Sequence, residues 1–121
     1  MLVLTITKEW YDMIRSGEKK EEYREIKPFY TTRFTNVGLL DEKGEPTHKR
    51  VKIKLRNGYA KWSPYVVMLC TLDIKKGKPE WGAVPKVEYY TLKVLFVEQE
   101  RRDAEPPNKT VVNTSTQWRL P

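Results

Sequence analysis

The sequence predicts an α+β domain: a small, strongly curved mixed sheet carrying one main helix and one or two short ones. Three observations carry this. Several stretches after residue 48 alternate apolar and polar residues with the period of a strand. One stretch near the N-terminus instead repeats its apolar residues, Trp10, Met13 and Ile14, at helical spacing. The chain has 121 residues, the length of one domain, and shows no internal repeat or low-complexity tract.

In order, Met1–Ile6 is a short apolar run that predicts a first strand. Thr7 stands at the N-cap of a helix from Lys8 to Ser16, with Ile6 and Tyr11 at the two positions of a hydrophobic staple. Gly17 then ends the helix in the left-handed region, where a glycine meets no Cβ clash. If Glu22-Tyr23-Arg24 is extended, Glu22 and Arg24 share one face and Tyr23 takes the other. Pro28 interrupts the strand and opens a short helix over Phe29–Phe34. Asp41–Pro46 is a loop by its turn residues.

From Lys49 to Arg56 the alternation is clean: Val51, Ile53 and Leu55 face one way, and His48, Arg50, Lys52, Lys54 and Arg56 the other. Asn57-Gly58 turns the chain. Tyr65–Ile74 is apolar on both faces, so it predicts a covered strand in which Cys70 is a small buried hydrophobe. Lys76–Pro79 ends it, Glu80–Ala83 makes an aromatic turn around Trp81, and Tyr89–Val97 is the last strand. Residues 1–100 thus form the domain. Residues 101–121 form a polar tail, docked or disordered, in which Trp118 is the residue able to anchor it.

The formal net charge of +7 favours an anionic partner. No Asp or Glu occurs from His48 to Lys61, whereas Lys49, Arg50, Lys52, Lys54, Arg56 and Lys61 do, so nearly the whole excess lies there. Tyr59, Trp62 and Tyr65 follow within a few residues. Cations interleaved with aromatic platforms hold single-stranded nucleic acid, although outward lysines also guard sheet edges against pairing. One cysteine and one histidine exclude an internal disulfide and a structural zinc site. No membrane span or signal peptide is visible, and the chain reads as cytoplasmic.

The stretch that carries chemistry is Gly17-x-Lys19-x-x-Glu22-x-Arg24. A lysine partly desolvated beside another cation loses basicity and can act as base or nucleophile; Arg24 pushes Lys19 that way and Glu22 opposes it. Glu22 is itself a candidate general acid or base, and Arg24 suits a phosphate or a developing oxyanion. The same three charges also serve simply to tie a helix end to a strand.

This helix and motif resemble the signature of the ASCH domain family, a relative of the PUA-like RNA-binding β-barrels. Lys8–Ile14, Arg56-Asn57-Gly58-Tyr59 and Gly77–Gly82 fit the same likeness. The resemblance implies a closed, small PUA-like mixed β-barrel and a cleft, lined by the motif, that holds the ligand. It also implies two metal-independent, cofactor-free activities that use the motif lysine, matched here by Lys19: deacetylation of N4-acetylcytidine and RNA cleavage. The amidohydrolase carries a threonine three positions after that lysine, where this chain has Glu22. The reading is therefore an RNA- or nucleotide-binding domain. Lys19, Glu22 and Arg24 form its cleft, and Arg50, Lys52, Lys54, Arg56, Tyr59 and Trp81 hold phosphates and bases. A hydrolase on RNA or a modified nucleoside is the alternative, with Lys19, Glu22 and Arg24 as its catalytic residues. A protein-interaction module of coactivator type is the weaker one.

Overall fold

A computed structural model describes residues 1–106; Trp118 and the rest of the expected tail beyond residue 106 lie outside the described residues. Strand β1 (Val3–Ile6) leads into helix α1 (Lys8–Ser16), followed by β2 (Glu21–Arg24), α2 (Pro28–Asn36), β3 (Val51–Asn57), β4 (Tyr65–Lys76) and β5 (Glu88–Val97). A single 3-10 turn over Pro79–Trp81 separates the last two strands. The second helix is as long as the first, nine residues each, so "one main helix" understates it. Pro28 sits in its first turn, where its missing N–H is no loss.

The sheet order is β1-β3-β4-β5-β2. β1 runs parallel to β3, with Val3 opposite Lys54, and every other pairing is antiparallel. A register shift between Leu69 and Cys70 adds twist midway along the long β4. The curl brings the two edge strands together: the Arg24 guanidinium on β2 donates 2.9 Å to the Thr5 carbonyl on β1. The result is a half-barrel whose seam the Arg24 side chain bridges, and among the described residues no backbone ladder joins β1 to β2.

Ile53, Leu55, Met68, Cys70, Leu72 and Leu92 fill the inside of the curl, and Tyr11, Ile14 and Phe34 cover it from the helices. On α1 the buried stripe is therefore centred on Tyr11 and Ile14; Trp10 and Met13 are only half-buried. Thr7 occupies the N-cap in extended conformation, but its hydroxyl makes no capping bond. The Cys70 thiol donates to the Val51 carbonyl at 3.5 Å, and burial pushes its pKa up to about 12, as befits a packing residue. Among the described residues no helix is long and apolar enough to cross a membrane.

Candidate functional site

The site begins at the end of α1. Gly17 adopts φ +84° and donates its N–H to Ile14 O at 3.1 Å; Lys19 N–H closes back on Met13 O at 2.9 Å. This double closure throws the Lys19 side chain inward, where it is only 2% exposed. Its ammonium donates to the Trp81 carbonyl and lies 3.3 Å from Glu22 Oε1. The rings of Trp10 and Tyr23 flank it, with centroids 5.1 and 4.9 Å away. Two glycines let those rings come so close. A Cβ on Gly82 would stand 3.2 Å from Trp10 Cζ2, and one on Gly77 would stand 2.7 Å from Tyr23 Cε1.

Alternation along β2 sorts the remaining charges. Tyr23 turns to Glu21, donating its hydroxyl to Oε1 at 2.7 Å, and Lys75 pairs with the other Glu21 oxygen at 2.9 Å. Glu22 and Arg24 share the opposite side. Arg24 grips Glu22 Oε2 through Nε at 3.0 Å and through Nη2 at 2.6 Å. It also reaches Thr5 O and, at 3.3 Å, the Tyr30 hydroxyl. Among the described residues these bonds use four of its five N–H donors and leave one without a partner. Burial works against the Arg24 charge, but Glu22 and Tyr30 outweigh it and hold its pKa above the ordinary value. For Lys19 burial wins over the attraction of Glu22, and its pKa falls below 10.5.

A cleft of about 620 Å³ opens at the seam between β1 and β2. Glu22 and Arg24 line it from one edge strand, and Thr5 and Thr7 from the other side. Its walls are aromatic: Trp10, Tyr23, Tyr30, Tyr59 and Tyr89. The three motif residues do converge, but Lys19 stands behind Trp10 and Tyr23 and does not line the cleft. Trp81 contributes its carbonyl to Lys19 and its ring to Lys78, 4.6 Å away. Tyr59 is 87% exposed at the cleft rim. Tyr30 and Tyr89 are wall residues that sequence reasoning missed, since nothing in their local spacing distinguishes them from core aromatics.

The basic stripe is arranged differently from the expectation. Its acidic partners come from far along the chain, in a segment that follows β5. Lys52 pairs with Glu98 at 2.9 Å, while Lys54 and Arg56 pair with Asp103 at 2.9 and 3.6 Å. Tyr65 and Arg101 exchange both backbone hydrogen bonds at 2.9 Å, which straps this segment across β3 and β4. Tyr65 itself is buried between Lys54 and Arg101. The absence of acids within residues 48–61 therefore does not make the stripe unpaired. Arg50 is exposed, with no ion pair among the described residues.

His48 is exposed and faces Asp73 at 3.7 Å, while Cys70 is buried with its thiol on the Val51 carbonyl, so these two build no nucleophile–base pair. Among the described residues no three His, Cys, Asp or Glu side chains gather as metal ligands would. No family model, no curated protein and no solved structure matches this chain.

Proposed function

We propose that the chain is an RNA- or nucleotide-binding module of ASCH type, with a PUA-like barrel, that takes a base of single-stranded RNA into the seam cleft. The observation that supports this best is the cleft itself. Five aromatic side chains enclose a buried Glu22–Arg24 pair, with Lys19 behind, in a space within the range of small-ligand sites. Aromatic walls suit the π-faces of bases, and the spare N–H of Arg24 and the Glu22 oxygens suit their polar edges. Lys19, Glu22 and Arg24 together carry one net positive charge, which favours a nucleotide over a neutral ligand. In this reading Lys19 holds Glu22 in place, and the strapped stripe of β3 plays a smaller part than the cleft.

The test is titration of the protein with nucleoside monophosphates and a uridine homopolymer at low salt. Tyr59→Ala, a change at an exposed ring, is expected to weaken binding at least about fivefold through lost stacking. Absence of binding by every probe, or binding indifferent to Tyr59, would refute the proposal.

A hydrolase acting on RNA or a modified nucleoside is the second reading, favoured by the lowered pKa of Lys19 and its contact with Glu22. Lys19→Arg separates the two. Arginine keeps the charge but cannot act as base or nucleophile, so RNA cleavage or acetate release from N4-acetylcytidine should vanish while binding persists.

A further inference from the structure

We infer that the cleft is one of two adjoining subsites and that the ligand is therefore at least a dinucleotide; the inference rests on the nucleotide-binding reading above. A second hollow of about 240 Å³ continues from the cleft along the free edge of β1. Thr5, Arg24, Tyr30 and Tyr59 line both spaces, so Arg24 and the two tyrosines form a shared threshold. Beyond it lie Phe29 and Arg33, one helical turn apart on α2, which line only the second hollow.

Their arrangement suits a second nucleotide. The Arg33 guanidinium stacks over the Phe29 ring with its carbon 3.5 Å from the centroid. One of its N–H groups donates to the Phe29 carbonyl at 3.0 Å, and among the described residues its other four donors carry no protein bond. Among the described residues no carboxylate pairs with it, in contrast to Lys52, Lys54 and Arg56 on β3. Phe29 is half-exposed, and Val3 beside it is exposed as well. The core does not need this aromatic–cation pair. A phosphate linking two nucleotides would meet Arg33 or the spare N–H of Arg24, and the second base would meet Phe29 or Tyr59. A flat guanidinium held rigid by its stacking gives up little freedom when it binds phosphate.

The test compares UMP and AMP with the 5′-phosphorylated dinucleotides pUpU and pApA, followed by tryptophan fluorescence at one low salt concentration. The second nucleotide is expected to tighten binding about tenfold, the worth of one stacked base and one phosphate contact. Arg33→Gln and, separately, Phe29→Ala should remove most of that gain while leaving mononucleotide affinity within about twofold, as expected for independent subsites. Mononucleotides that bind as tightly as dinucleotides would overturn the second subsite and leave the proposed function standing. So would a gain that survives both substitutions. A loss that falls equally on mononucleotides and dinucleotides would also overturn it. No binding by any of the four probes would remove the inference and the proposed function together.

Discussion

Glu22→Gln gives the sharpest test of how the site is held. Glu22 lies between two largely buried cations, 3.3 Å from Lys19 and 2.6 Å from Arg24. Amidation keeps its shape and removes its charge, so both cations lose the carboxylate they pair with directly. Breaking a buried pair in this way costs about 3–5 kcal/mol. In a domain of this size that lowers the melting temperature by roughly 12–20 °C. The lysine's share has a ceiling, because Lys19 can shed its proton instead. From 10.5 to pH 7 is 3.5 units, or about 4.8 kcal/mol, and from 10.5 to pH 9 only 1.5 units, or about 2 kcal/mol. The sign follows from the lowered pKa of Lys19. The folded state holds fewer protons there than the unfolded chain, so the penalty is present at lower pH and relieved as pH rises through the folded value. Urea unfolding of wild type, Glu22→Gln, Lys19→Met and the double variant, at pH 7 and pH 9, measures this. The Glu22→Gln deficit should shrink at pH 9, and the double variant should be more stable than Glu22→Gln at pH 7. A deficit under about 1 kcal/mol, or one unchanged by pH and by Lys19→Met, would refute the account of a strained cation pair.

Gly77→Ala should cost about 1–3 kcal/mol and weaken nucleotide binding, because its Cβ would collide with Ala83 and with the Tyr23 ring beside Lys19; unfolding and titration together check both effects. Gly17→Ala meets no neighbour, so only its φ of +84° is penalised, and a loss of about 1 kcal/mol with binding intact is expected. Above pH 9 the unfolded chain loses the Cys70 proton that the folded chain keeps up to about 12, so this part of the stability is full below pH 9 and lost through that window. Cys70→Ala should make the decline in unfolding free energy above pH 9 shallower. Asp103→Asn frees Lys54 and Arg56, and the salt-dependence slope of binding to single-stranded RNA should steepen by about 1.4 if both then contact phosphates.

Much of the fold was legible because its signals are local. The left-handed Gly17 follows from a helix ending at Ser16, and φ there is +84°. The opposed faces of β2 and the burial of Cys70 follow from the period of a strand, which needs no knowledge of neighbours. The α+β class was readable in the same way, as runs of period two beside one of period 3.6.

What the sequence could not decide depends on contacts between distant segments. The stripe on β3 looked unpaired because its acids, Glu98 and Asp103, arrive only after the chain has run through β4 and β5. Lys19 looked like a cleft residue because its spacing from Glu22 is visible. The rings of Trp10 and Tyr23 and the Trp81 carbonyl that enclose it are brought in by three other elements. Tyr30 and Tyr89 face the cleft through the placement of α2 and β5, since an aromatic side chain is equally at home in a core. By itself the sequence determined the elements, their faces and the charges of the motif, because these follow from backbone periodicity and side-chain chemistry. Only the tertiary structure decided which charges are neutralised, which rings wall the cleft and where the half-barrel stays open, because each of these depends on how the curled sheet brings β1 against β2.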